Sequence, residues 1–276
     1  SRVNRRSLGA NANGIKVNML KETSRANGSR WGGVRTYWGA EGGTATASRP
    51  SYRRFSLDLE KLMGLYVPTD ELLQDVTALE GEVGSLFSAE ILFTVEDAIT
   101  NGDGAGKPLG YLNSPAKVEV AKESGQAADT IVYANLLKMW SRMWGPSRAN
   151  AVWFYNQDAE PQLHQLALPV GTAALPAQFV QFAPDGSLRA FGRPMIPVEY
   201  NATVGDAGDI ALVDLSQYRW IDKGGVQTAS SIHVYFTTDE LAYRFIYRCN
   251  GAPVWESALT PFKGSNTLSP IVTLAE

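Results

Sequence analysis

The residues able to do acid–base, nucleophilic or metal chemistry are few in this chain, and badly spaced for it. There are two histidines, His164 and His233, and one cysteine, Cys249. A zinc site needs Cys or His in closely spaced pairs, and no such pair occurs. His164 falls on a predicted helix and His233 in an alternating strand, positions that read as structural. No Gly-x-Ser-x-Gly elbow occurs, so Ser–His catalysis has no support. The stretch Asn101-Gly-Asp-Gly-Ala-Gly-Lys107-Pro108 superficially suggests a phosphate loop. A P-loop needs Gly at 101 and Ser or Thr at 108, and a dinucleotide fingerprint needs Gly at 107 or 109. The segment also follows a predicted helix, so no helix N-terminus points at an anion there. Asp103 in it is ordinary turn chemistry. The sequence predicts no catalytic residue, no cofactor site and no metal site; the chain reads as a non-enzyme.

What remains is the chemistry of recognition. Residues 22–50 are rich in Gly, Ser, Thr, Ala and Arg, and they carry Trp31, Tyr37 and Trp38. Exposed Trp and Tyr in a flexible loop are poor for solubility and typical as interface anchors. Arg35, Arg49, Arg53 and Arg54 accompany them. The competing reading is that these aromatics fold back on their own core.

Two strands flank this loop. Residues 15–21 partly alternate, and in residues 52–67 Phe55, Leu57 and Leu59 share one side with Ser56, Asp58 and Glu60 opposite. Together they make an extended hairpin. A structureless stretch of this length fits poorly inside a compact domain. It makes sense if it leaves the body and packs on another molecule.

A long helix follows, from about Asp70 to Thr100, with Thr69 as N-cap and Asp70 and Glu71 in the first turn. Leu72, Val76, Leu79, Val83 and Leu86 recur at helical spacing, then Phe87, Ile91, Val95 and Ala98. Asn101-Gly102 reads as a left-handed C-cap. Gly81 and Gly84 lie inside the helix, each unfavourable by roughly 1 kcal/mol relative to Ala. Beyond lie a predicted helix at Tyr133–Trp144, a buried strand at Ala151–Tyr155 and a short helix at Asp158–Leu168. Strands are expected at Ile210–Val213, Ser231–Phe236 and Leu241–Cys249. In the last, Leu241, Tyr243, Phe245, Tyr247 and Cys249 share a face, with Arg244 and Arg248 opposite. The order implies an α+β chain.

Composition sets the bounds. The 276 residues can bury a sizeable core. No apolar run approaches the roughly 18 residues of a membrane helix, and no apolar leader is visible. One cysteine permits no intrachain disulfide, which suits a reducing cytoplasm. Net charge is −3, unevenly spread: residues 1–54 hold eleven Lys/Arg and two acids, and the remainder is acidic. A basic first fifth and an acidic body attract each other between copies. A nucleic-acid-binding arm or a solvated tail would give the same pattern. Arg2, Arg5 and Arg6 are the arm residues expected to face DNA or a neighbouring subunit.

Three segments carry a resemblance. A long helix closes in Thr100-Asn-Gly-Asp-Gly-Ala-Gly-Lys-Pro-Leu-Gly110-Tyr-Leu. Phe191-Gly-Arg-Pro-Met-Ile-Pro-Val198 is followed by a Gly/Ala turn and Ile210-Ala-Leu-Val-Asp214. Long strands run from Arg219-Trp-Ile221 to Cys249. Together they resemble the major capsid proteins of tailed double-stranded DNA bacteriophages, the Hong Kong 97-type capsid fold. The resemblance implies an N-arm at 1–14 and an extended E-loop at 15–66. It implies a peripheral domain at 67–112 and 217–248, with a spine helix at about 70–100. It implies an axial domain at 113–216 and 249–276.

By the same resemblance the chain self-assembles into pentamers and hexamers of an icosahedral head. Its partners are itself, a portal protein, a scaffolding or decoration protein, and packaged double-stranded DNA; no membrane is involved. It resembles a mature form, assembled in the host bacterial cytoplasm and resident in the virion. Asp70, Glu71 and Asp75 on a neighbour's spine are the expected partners of the loop arginines. Some family members join an E-loop Lys to a peripheral-domain Asn covalently. Residues 22–60 contain no Lys, so no such cross-link is expected. An encapsulin-like nanocompartment shell is the alternative.

Overall fold

The computed structural model describes residues 2–44, 46–69, 71, 79–170, 173–176, 180–182, 186–235 and 237–276. The strands are β1 (Asn4–Ser7), β2 (Gly14–Leu20), β3 (Tyr52–Asp58), β4 (Glu60–Tyr66) and β5 (Val118–Val120). They continue with β6 (Val152–Tyr155), β7 (Ala167–Val170), β8 (Ala173–Pro176), β9 (Val180–Phe182), β10 (Leu188–Ala190) and β11 (Arg193–Pro197). The last are β12 (Ile210–Val213), β13 (Tyr218–Asp222), β14 (Gln227–Tyr235), β15 (Glu240–Pro253) and β16 (Ile271–Leu274). The α-helices are α1 (Leu79–Asn101), α2 (Tyr133–Arg142) and α3 (Glu160–His164).

Two sheets organise the chain. The larger runs β5-β16-β12-β6-β11-β10-β9. Its central strands β6, β12 and β16 are buried along their whole length. Alternation sends Trp153, Tyr155, Ile210 and Leu212 to one face, where they meet Leu136, Met139 and Met143. Val152, Phe154, Ala211 and Val213 go to the other, against Tyr111 and the end of α1 at Ile99. A strand covered on both faces must be apolar throughout, which is why these segments lack polar alternation. Each such side chain contributes roughly 1.5–3 kcal/mol by leaving water.

The second sheet centres on β15, with β13 and β14 on one edge and β4 on the other. Helix α1 packs across it through Val83, Phe87, Ile91, Val95 and Ile99, a row at intervals of four. The Phe87 and Phe245 rings stack with centroids 4.4 Å apart. Gly64 on β4 makes this possible, because a Cβ there would lie 2.9 Å from the Phe87 ring. Leu86, assigned to the same stripe by spacing, instead faces out and is exposed. The contact row follows the i+4 ridge, and Leu86 sits off it. The expected helix start at Asp70, with Leu72 and Val76, lies outside the described residues, as does Phe236.

Four expectations are corrected. Gly102 does not adopt a left-handed conformation. It is glycine because a Cβ would lie 2.1 Å from the Pro108 carbonyl oxygen and 2.5 Å from that of Ala98. The segment 52–67 is two strands: at Leu59, whose N–H donates to the Asn13 carbonyl (2.9 Å), pairing passes from β2 to β15. Residues 1–14 are not wholly irregular, since β1 pairs in parallel with β13. The helix expected over 158–168 ends at His164 and gives way to β7. Pro169 disfavours helical geometry at Leu168, so the chain is extended there.

Candidate assembly interface

The hairpin β2–β3 stands on a small core of its own. Ile15, Phe55, Leu57 and Leu59 are buried against Ile221 and Ala252, with Ser56 and Asp58 on the exposed side. The alternation read from sequence is the alternation observed. Beyond Leu20 the chain remains tied to its own body for a few residues. The Arg25 N–H donates to the Thr260 carbonyl (2.8 Å), and Thr260 N–H donates to the Thr23 carbonyl (3.0 Å).

The loop then turns sharply. Arg30 and Val34 bridge across Trp31, Gly32 and Gly33, all three at positive φ. A Cβ on Gly32 would lie 2.9 Å from the Ser51 carbonyl, so glycine is required there. Trp31 holds φ 53° without being glycine, a strained conformation that the closed turn enforces. The turn aims its indole outward: Trp31 is 66% exposed, Tyr37 51%, and Trp38 fully. The Arg35 guanidinium lies over the Tyr37 ring at 5.0 Å. Arg35 also holds Ser48 across the loop through N–H to Oγ (3.1 Å). Among the described residues from 35 to 50 no strand or helix forms, and Trp31, Tyr37 and Trp38 stand in solvent.

The arginines divide. Arg53 is half-buried, donates to the Val254 carbonyl, and lies 3.8 Å from Glu256, all within one chain. Arg35, Arg49 and Arg54 are exposed. Glu71 is exposed on the helix side, and Asp70 and Asp75 lie outside the described residues. In the arm, Arg2 and Arg6 are exposed, but Arg5 is spent at home. Its Nη2 and Nε donate to the two carboxylate oxygens of buried Asp222, at 2.7 and 3.0 Å. Ser7 Oγ adds a third donor at 3.1 Å. These hydrogen bonds hold the Asp222 carboxyl below the usual carboxylate range, against the opposing effect of burial. Sequence reading missed this latch, because Asp222 lies 217 residues away from Arg5.

The turn after α1 is a junction and not an anion cradle. Asn101 donates to Asp97 (2.8 Å) and to the Tyr200 carbonyl (2.7 Å). Asn113 donates to the carbonyls of Asn101 and Gly102 (2.8 and 3.1 Å), and Leu109 N–H donates to Gly251 (2.9 Å). The Gly102, Gly104, Leu109 and Gly110 amides donate to backbone carbonyls, and the Ala105 amide donates to the Asp103 carboxylate, so these bonds close the turn and join it to the sheet. His164 sits 3.6 Å from Glu160 on α3, and His233 is exposed on β14. Among the described residues no group of three or more His, Cys, Asp or Glu is placed to hold a metal, and no helix is long and apolar enough to cross a membrane.

The structure is thus an α+β body with a rooted hairpin and an aromatic tip that stands in solvent. The sequence matches the phage capsid family over residues 4–264, and the chain belongs to that family. It is a shell-forming major capsid protein. Solved structures agree on the fold. The capsid of the native GTA particle, computed with C5 symmetry, is 15% identical, with a TM-score of 0.71 over 99% of this chain and 87% of that one. Mycobacterium phage Adephagia gives 13% identity and a TM-score of 0.68, over 99% and 88%. The holo-SrpI encapsulin complex of Synechococcus elongatus gives 11% and 0.63, over 99% and 84%. A sequence search of curated proteins finds no match.

Proposed function

We propose that copies of this chain close into an icosahedral phage head of pentamers and hexamers around double-stranded DNA. In this reading residues 15–66 form an E-loop over an adjacent subunit. Residues 67–112 and 217–248 form the peripheral domain, and 113–216 with 249–276 the axial domain. One observation carries it: Trp31, Tyr37 and Trp38 stand in solvent on a loop whose base is firmly rooted. Apolar area left in water favours association, by about 25 cal/mol for each Å² that a partner covers. Closed symmetric assembly lets every copy both give and receive this contact.

Arg49 and Arg54 on the loop meet acids on a neighbour's spine, Glu71 among them. Such rim pairs are worth under ~1 kcal/mol each and set register more than strength. Portal and scaffolding or decoration proteins complete the particle, which is assembled in the host bacterial cytoplasm. The chain performs no catalysis in this role.

Electron microscopy of the purified protein, followed by nucleic-acid extraction, tests the proposal. Closed shells holding double-stranded DNA are expected. Shells filled with protein cargo and free of genome would favour the encapsulin-like alternative, whose fold this chain shares. A stable solitary chain of 30.0 kDa would end both readings.

A further inference from the structure

Two arginines from distant parts of the chain share one cleft. Arg2, just before β1, and Arg193, at the start of β11, line a hollow of 360 Å³ together with Asn150 and Ser216. The rest of its lining is two alanines and a proline. Arg193 is half-buried, and its Nη1 donates to the Ala149 carbonyl, which fixes the guanidinium. Arg2 is exposed. Among the described residues neither arginine forms an ion pair. Asp214, close by in sequence, is buried, and its Oδ1 already accepts from the Ser216 N–H and Oγ (3.0 and 2.6 Å). Like charges sharing a cleft repel each other unless an anion lies between them.

We propose that this cleft seats a backbone phosphate of double-stranded DNA. The inference rests on the reading of the chain as a shell around DNA. The guanidinium fork matches phosphate oxygens, and a guanidinium already fixed loses little freedom on binding. Asn150 brings an amide donor to the same cleft. The lining selects DNA over a carboxylate on a neighbouring copy. A protein partner is anchored by aromatic and large aliphatic side chains, and this cleft offers no apolar side chain larger than proline. A phosphodiester needs only charge and hydrogen bonds. The adjoining cleft of 630 Å³ is the converse. It shares Arg2, but Leu92, Phe93 and Tyr200 wall it, and Glu96 and Glu199 in that wall repel phosphate. A DNA phosphate is therefore drawn to the Arg193 side of Arg2.

Affinity of the full chain for a short fluorescent DNA duplex, measured against salt concentration, tests the seat. Arg2→Ala combined with Arg193→Ala removes one phosphate contact, so the slope of log affinity against log salt should fall by about 0.9. Lys263→Ala removes an exposed charge elsewhere and should leave the slope unchanged. An unchanged slope in the arginine variant, or an equal fall in the lysine one, overturns the seat and leaves the shell reading standing. A wild-type chain that binds no duplex and forms shells without DNA overturns both. A second measurement needs no variant, and it decides should the arginine variant misfold. Phenylglyoxal modifies accessible arginines, and peptide mass spectrometry locates the products. Arg2 and Arg193 should be modified in the unassembled chain and in DNA-free shells, and protected in DNA-filled ones. Protection that arises on assembly without DNA would place a neighbour's carboxylate in the cleft. Protection of the unassembled chain by inorganic phosphate but not by duplex would assign the cleft to the free ion. Either result overturns the seat.

Discussion

Replacing Arg5 with alanine should release the N-terminal strand while leaving the body folded. Asp222 is buried at the join of β1 and β13, and Arg5 and Ser7 provide its side-chain donors. Breaking a fully buried ion pair costs about 3–5 kcal/mol. The Arg5 side chain is 53% exposed, so water enters where the guanidinium leaves, and the Ser7 bond survives. Both facts reduce the loss to roughly 2 kcal/mol. That corresponds to roughly a thirtyfold rise in the opening of β1, at 1.36 kcal/mol per tenfold.

Amide hydrogen exchange reads this opening directly. The Leu8 N–H, which donates to the Asp222 carbonyl at 2.8 Å, is a natural reporter. Exchange should accelerate about thirtyfold at Leu8 and in β1, and stay unchanged in β6 and β12. Arg5→Ala combined with Asp222→Asn should recover part of the loss, since no buried charge is then left unpaired. Wild-type exchange at Leu8 in the single variant would refute the reasoning, as would simple additivity in the double. The same latch fixes a pH response. A carboxyl lowered on folding contributes stability that is complete above its unfolded value of about 3.9. It is lost as pH falls through the lower folded value. Protection of β1, corrected for intrinsic exchange, should therefore be flat from pH 5 to 8 and collapse only in stronger acid. A transition between pH 5 and 8 would mean that another group holds the arm.

Gly102→Ala should cost more than about 3 kcal/mol, because its Cβ would lie 2.1 Å from the Pro108 oxygen; soluble yield at 37 °C measures it. Arg54→Glu should lower particle yield with little change in subunit melting, since the side chain is exposed. Arg53→Glu should lower both, since it breaks contacts to Val254 and Glu256 within the chain; equal melting shifts for the two would contradict the division. Denaturing gels of mature particles should show only the single-chain band, for residues 22–60 offer no Lys; a ladder of multimers would refute this.

Legibility in the sequence followed the range of the forces. The hairpin root was readable because Phe55, Leu57 and Leu59 alternate, and period-two alternation reports burial of one face directly. Strand β12 was readable as a short apolar run. Strand β1 was not: Asn4, Arg5, Arg6 and Ser7 are all exposed, and nothing apolar marks them. Their pairing with β13 is parallel and distant, so its signal lies in a partner more than two hundred residues on. Gly102 was legible as an essential glycine and misread in cause. A left-handed cap and a close backbone approach both demand a missing Cβ, and only coordinates separate them. Leu86 failed because spacing alone offers two apolar rows on one helix, and the sheet beneath chooses between them.

Of the two readings of the loop, fold-back describes its base, and hand-over is the proposal for its tip. Near the base, Arg25 and Thr23 pair with Thr260, and Arg53 grips Val254. These contacts fold back on the same chain and fix where the loop leaves the body. Among the described residues from 35 to 50 no strand or helix forms, while Trp31, Tyr37 and Trp38 remain in water. A tip ordered in isolation would lose conformational entropy with no burial in return. In the proposed assembly a neighbour supplies the apolar cover that offsets this loss. The rooted base would then confine the tip before contact, and the open tip would make its order depend on assembly.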